Sequence, residues 1–338
     1  MRTLLITDLH LNSKVRGLLD AQCDCVLKIL SEEKPDEVII MGDVFMHRKP
    51  TPSELLGFKS IIDKMKERSK VLVIRGNHDS ETKADDGKTA LLLYEDNNVK
   101  VVTHTYTDIK RKRVFIPHYE NEETIINDLE RVPKGYTVFG HFGYDGCLNS
   151  AGDADFGISL SNFSNLTFLG HIHGFCERQG GLPGSDASRV VCLGTPYTTN
   201  YGEAFKENFY AILNGGMWDN HSLCIKYSQP TTGPRHLVYP AREVENNLDT
   251  INDPNYFTFL RVMVEAEHHS IPYDKLEVAY VDVKYAPIFN EDEISSYSNE
   301  CDLFSINDVI ISDYIKEANS TISTEKLMEG YRLLQDEN

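Results

Sequence analysis

The sequence predicts an α/β fold built around a parallel sheet, and three observations predict it. Short apolar runs rich in β-branched residues fall at 4–7, 38–41 and 71–75, the pattern of strands buried on both faces. Apolar residues between them recur at helical spacing: Val15, Leu18, Leu19, Val26, Ile29 and Leu30 first, then Leu55, Phe58, Ile62 and Met65, with Leu56 and Ile61 widening the second stripe. The unit length agrees, since Asp8 to Asp43 is 35 residues and Asp43 to Asn77 is 34, one strand and crossover helix each.

Further strands are expected at 136–139 and 166–169, and after His173 the chain turns β-rich at 189–193, 209–213 and 223–227, predicting a second sheet against the first. A Pro- and Gly-bearing stretch, Gln229-Pro230-Thr231-Thr232-Gly233-Pro234, is the best candidate boundary. Beyond it, 256–264 and 278–284 read as strands of a small α+β domain. Two helices close the chain, lined by Ile306, Val309 and Ile310 and by Leu327, Tyr331 and Leu334. The expected organisation is a main domain at 1–230, an accessory domain at 231–300 and a helical segment at 301–338.

At 338 residues, 41% hydrophobic and 25% charged, the composition is that of a soluble globular protein. No stretch approaches the ~20 apolar residues that span a bilayer, and no signal-peptide pattern opens the chain. Seven cysteines, with Cys23 and Cys25 the only close pair, read as reduced thiols in a cytoplasmic protein. The net charge of −18 argues against a nucleic-acid binder at first sight. It is uneven, however: residues 231–338 carry 21 Asp/Glu against 8 Lys/Arg, whereas residues 1–230 carry 31 against 26. Basic clusters His47-Arg48-Lys49 and Lys110-Arg111-Lys112-Arg113 lie in the first part, each read by itself as a solvated face.

Five polar signatures follow expected strands: Asp8-Leu9-His10, Gly42-Asp43, Gly76-Asn77-His78-Asp79, Gly140-His141 and Gly170-His171-Ile172-His173. Ligands of open α/β sheets sit beyond the carboxyl ends of strands. Two carboxylates, one amide and several imidazoles converging there form a donor set for two divalent cations such as Mn²⁺, Fe²⁺ or Zn²⁺, and that arrangement suits phosphate-ester hydrolysis.

The ordered set resembles the calcineurin-like metallophosphoesterase superfamily over roughly residues 1–215. The resemblance implies a two-sheet α/β/β/α sandwich with a small α+β accessory (capping) domain and C-terminal helices. It also implies two divalent metal ions. Asp8, His10, Asp43 and His173 match the ligands of one; Asp43, Asn77, His141 and His171 match those of the other, with Asp43 bridging. His78 matches the residue beside the scissile phosphate that binds no metal. Asp79 is read either as a partner that orients His78 or as the cap of a following helix.

Gly42-Asp43-Val44-Phe45 followed by Arg48-Lys49-Pro50, the Gly194-Thr195-Pro196 element and Asp308-Val309-Ile310-Ile311 resemble the SbcD-type DNA nuclease branch. Length and the short connection after His141 look closest to its phage recombination endonuclease subunit. That resemblance implies a manganese-dependent DNA endo- and exonuclease in recombination and double-strand-break repair, in the host cytoplasm if phage-encoded. It further implies a homodimer, with helices near 53–67 at its interface, and an SbcC-type coiled-coil ATPase gripped by the terminal helices, whereas the residues alone read equally as core of the main domain and of the small domain. The chain has no P-loop of its own, so ATP hydrolysis would belong to that partner. One position departs from the pattern: Met46 stands where this branch usually has a polar residue contacting substrate, so either His47 takes over the contact, with Arg48 a further candidate, or the exonuclease function is altered. A metallophosphoesterase for a small molecule or phosphoprotein is the alternative, and it suits the acidity better. His118, after Pro117, is the one remaining histidine placed to line the cleft; His104, His221, His236, His268 and His269 read as ordinary.

Overall fold

The computed structural model describes residues 1–147, 157–181, 188–204, 206–215, 224–264 and 271–285, all within one compact unit, Met1–Ala286. The two expected C-terminal helices, His221, His268 and His269 lie outside the described residues.

The first sheet contains β1 (Arg2–Ile6), β2 (Glu37–Ile40), β3 (Lys70–Ile74) and β4 (Val99–Val102), all parallel, in spatial order β1-β2-β3-β4. The second contains β5 (Tyr106–Asp108), β6 (Arg113–Ile116), β7 (Thr137–His141), β8 (Thr167–Gly170), β9 (Cys176–Gly180) and β10 (Ser188–Cys192), in order β5-β6-β7-β8-β10-β9. Its central four, β6, β7, β8 and β10, are parallel. The chain then returns to the first sheet: β11 (Tyr210–Asn214) pairs antiparallel with β1, and β12 (Cys224–Ser228) with β11.

Three apolar layers follow from the two faces of each sheet. Leu5, Ile39, Leu72 and Ile74 meet Phe115, Phe139, Phe168 and Val191 between the sheets. On the outer face of the first sheet, α1 (Leu18–Glu33) and α2 (Pro52–Lys66) bury Val26, Ile29, Phe58, Ile62 and Met65. The outer face of the second packs on α3 (Glu122–Glu130) through Ile125 and Leu129. The order α/β/β/α is therefore a direct result of two sheets apolar on both faces.

Local chemistry fixes the loops that carry the site. Thr51 and Glu54 form a reciprocal capping box on α2, with Pro52 in its first turn. Glu54 also accepts from the Ser13 N–H at 2.8 Å, tying the loop after β1 to that helix. A buried pair clamps the sheets: Arg113, opening β6, donates to both oxygens of Glu37, opening β2, at 2.6 and 3.0 Å. Arg113 is 1% exposed, which corrects the reading of 110–113 as a uniformly solvated basic face.

A third sheet of β13 (Gly233–Pro240), β14 (Tyr256–Val264) and β15 (Tyr280–Tyr285) is parallel throughout. It has its own small core with the short helices α4 (Ala241–Val244) and α5 (Leu248–Ile251). No helix among the described residues is long and apolar enough to cross a membrane.

Candidate dinuclear metal centre

All seven expected ligands meet at the carboxyl ends of the parallel strands. Asp8, His10, Asp43 and Asn77 come from loops after β1, β2 and β3 of the first sheet. His141, His171 and His173 come from the ends of β7 and β8 in the second. The donor atoms form two groups. In one, His10 Nε2 lies 3.0 Å from His173 Nε2 and 3.8 Å from both Asp8 Oδ1 and Asp43 Oδ2. In the other, Asn77 Oδ1 lies 3.1 Å from both His141 Nε2 and His171 Nδ1, and Asp43 Oδ1 lies 3.3 Å from His141 Nε2. Asp43 thus turns one oxygen to each group.

The donor set fits divalent cations on its own chemistry. An imidazole presents a lone pair to a metal when its other nitrogen carries a proton given to an acceptor. His141 Nδ1 lies 2.6 Å from the Met41 carbonyl and His173 Nδ1 lies 2.6 Å from Glu203 Oε1. Two Nε2 atoms facing each other at 3.0 Å in a pocket lined by carboxylates is an arrangement that a shared cation satisfies.

Strain is concentrated here. Six non-glycine residues among those described have positive φ, and four of them are Asp8, His10, Asp43 and His171. Each such residue costs about 1–2 kcal/mol. Neighbouring glycines permit the convergence: a Cβ on Gly42 would sit 2.2 Å from His141 Nδ1, and one on Gly76 would sit 2.1 Å from Asp43 Oδ1.

Electrostatics follow from burial and proximity. Burial opposes charge on Asp43, but His141, His10 and His78 outweigh it and hold the carboxyl well below its usual range. Burial likewise opposes charge on His141, yet Asp43 and Asp8 lift it to about 9. His10 is driven down to about 3 by burial, which Asp43 only partly offsets. Burial works against a charged His173 as well, and the Glu203 hydrogen bond and Asp8 raise it regardless.

His78 lies beside this centre, its ring 5.0 Å from that of His10 and edge-on to it. Its main-chain N–H donates to Asp43 Oδ1 at 2.8 Å, and its Nδ1 lies 2.6 Å from the Met46 carbonyl. Asp79 has neither of its expected roles. Its Oδ1 accepts from the Val44 and Phe45 N–H groups at 3.0 and 3.2 Å, and its Oδ2 from Gly76 N–H at 2.9 Å, so it pins the Asp43 loop to the Asn77 loop. No helix follows it that it could cap. Arg48 is held by the Thr82 carbonyl and by Glu120 at 2.7 and 2.9 Å. His47 is half-buried with Nε2 unpartnered.

His118 does reach the cleft, its ring centroid 6.3 Å from His171 and 6.5 Å from His141. Arg75 and His118 exchange main-chain contacts that seat it there: His118 N–H donates to the Arg75 carbonyl, and Arg75 Nη2 to the His118 carbonyl. Gly194 and Thr195 pack on the His173 main chain, where Thr195 N–H donates to its carbonyl at 3.2 Å. Sequence reasoning missed Glu203; its one signal was a carboxylate close behind that Gly-Thr-Pro element.

Two solved structures are similar at low identity. The nuclease MPE of Pseudomonas putida is 14% identical, over 67% of this chain and 87% of that one, with a TM-score of 0.32. The phosphoesterase Yfce of E. coli is 13% identical, over 68% of this chain and 100% of that one, with a TM-score of 0.35. No curated protein matches the sequence. The family model described as calcineurin-like phosphoesterase matches residues 1–175, a stretch that holds all seven ligands, Asp8 to His173, together with His78. The chain belongs to the calcineurin-like phosphoesterase family.

Proposed function

We propose that this protein is a manganese-dependent DNA nuclease subunit of the SbcD type, cutting phosphodiester bonds as endo- and exonuclease alongside a coiled-coil P-loop ATPase in recombination and repair. The observation that carries the hydrolytic part is the Asp43 carboxylate, with one oxygen facing each group of donors. Asp8, His10, Asp43 and His173 would hold one cation, and Asp43, Asn77, His141 and His171 the other. Such a pair, when bound, lowers the pKa of a water and neutralises phosphoryl oxygens.

The chain's own share of the work is positional. His78 gives its Nδ1 proton to the Met46 carbonyl, which aims Nε2 at the centre; in the imidazolium form that nitrogen would donate to a phosphoryl oxygen or to the leaving oxygen. Glu203 keeps the His173 ring in register. The DNA assignment rests on the segment from Gly42 to Pro50 and its likeness to the SbcD branch. A homodimer is part of the same reading: Leu56 of α2 and Leu93 are 67% and 74% exposed and line one groove.

The net charge of −18 favours the second reading, a phosphoesterase for a small molecule or phosphoprotein. Incubation with Mn²⁺ and end-labelled single-stranded DNA, beside a simple phosphomonoester, separates the two. Strand cleavage, rising when an SbcC-type ATPase is supplied, is the expected result. Monoester turnover without any DNA cleavage, even with the ATPase present, would overturn the nuclease assignment.

A further inference from the structure

Between the metal-ligand loops and the third sheet lies a cavity of about 310 Å³, within the usual range for small-ligand pockets. Its inner wall is His10 and Met46, the residues that face one cation group and hold His78. Tyr201, His236, Phe259 and Tyr280 make the outer wall. We propose that this cavity is a nucleobase subsite, seating the base attached to the phosphoester that reaches the metal centre. The proposal rests on the phosphoesterase reading and narrows it to substrates that carry a purine or pyrimidine.

Three observations point to a base rather than to an acyl chain or a sugar. The first is the aromatic wall and its rigidity. His236 and Phe259 are cross-strand neighbours on β13 and β14, stacked face to face with centroids 4.6 Å apart and planes at 6°. Thr198 holds the histidine in place, its hydroxyl accepting from His236 N–H at 2.7 Å and lying 2.9 Å from Nδ1. Tyr280 stands at the outer end, 6.2 Å from Phe259 and 52% exposed, which leaves ring surface for another flat ring.

The second is an unmatched polar atom. The Tyr201 hydroxyl is buried and has no hydrogen-bond partner. A buried hydroxyl without a partner is costly, and because Tyr201 lines the cavity edge-on to His236, a small turn of its ring would give the hydroxyl a base edge to pair with. The third is charge. The chain carries −18 overall, yet no Asp, Glu, Lys or Arg lines this cavity. An anionic nucleotide therefore meets no carboxylate in the lining of this cavity.

Calorimetric titration of the Mn²⁺-loaded protein tests this. The probes are 2′-deoxyadenosine 5′-thiophosphate and its abasic counterpart, 1,2-dideoxyribose 5-thiophosphate, which share the anion and the sugar and differ in the base. The nucleotide should bind at least about tenfold more tightly, in keeping with stacking on an aromatic ring. Tyr280→Ala, at the exposed rim, and Tyr201→Phe should each shrink that ratio while leaving the affinity of the abasic probe unchanged. Equal binding of the two probes, or a ratio preserved in both variants, would overturn the subsite. Competition by a phosphorothioate-linked tetradeoxyadenylate supports the subsite with nucleic acid as the source of the base; binding of the mononucleotide alone supports it with free nucleotides as the source. The same preparation is assayed on bis(p-nitrophenyl) phosphate. Hydrolysis without base discrimination removes the subsite and leaves the phosphoesterase reading standing, whereas no hydrolysis removes both.

Discussion

The Nδ1 atom of His78 lies 2.6 Å from the main-chain carbonyl of Met46, so a backbone group orients the residue proposed to stand beside the scissile phosphate. This gives the departure at position 46 a physical meaning, because every residue type supplies that carbonyl. Met46→Ala should therefore change kcat on bis(p-nitrophenyl) phosphate less than about threefold, whereas His78→Ala should lower it by about 10²–10⁴ with two metals still bound. Steady-state kinetics with metal analysis of both variants checks the pair.

Glu203 fixes the His173 tautomer from 2.6 Å while accepting from Thr199 N–H at 2.7 Å. Removal of such a partner typically weakens metal binding 10–100-fold. Glu203→Ala should do this for one of the two cations and spare the other. Equilibrium titration with Mn²⁺ followed by electron paramagnetic resonance resolves the two sites.

Cation binding should rise with pH through the neutral range. The metal-free protein holds His141 up near 9, because Asp43 and Asp8 outweigh burial, and His173 is raised as well. Both must lose a proton before the ring nitrogen coordinates, so binding releases protons below those values and affinity falls as the solution is acidified. Calorimetry in buffers of different ionisation enthalpy should detect proton release at pH 7.5, and the His141 share of that release should fade as the pH rises through about 9.

Arg113 and Glu37 clamp the two sheets through hydrogen bonds of 2.6 and 3.0 Å. Truncation of Glu37 leaves the buried Arg113 with Asp108, at 3.1 Å, in place of two carboxylates, and breaking a buried pair typically costs about 3–5 kcal/mol. Glu37→Ala should lower stability by that order in urea denaturation. Replacing Glu37 and Arg113 together by leucine and methionine should cost much less.

Much of the site was legible because its side chains follow strands buried on both faces. Apolar runs of that kind, as at β1, β2 and β3, are hard to mistake, and each of their ends carries a donor. Strand β6 was hidden because it opens with Arg113, whose charge is neutralised by a residue 76 positions away. The polar Cys176–Gly180 edge strand gave no alternation to read. Asp79 was misassigned for a different reason: its partners are main-chain N–H groups of loops that only the folded sheet brings near. Glu203 and the Met46 carbonyl share that character, since a contact made through space by a backbone atom or a distant carboxylate leaves no local pattern.

The donors are divided between the two sheets, with Asp8, His10, Asp43 and Asn77 on one layer and His141, His171 and His173 on the other. Neither layer alone can complete either cluster. Cation occupancy is therefore a gauge of whether the layers have closed on each other, and a substitution deep in their shared interface can silence the enzyme without touching a single ligand.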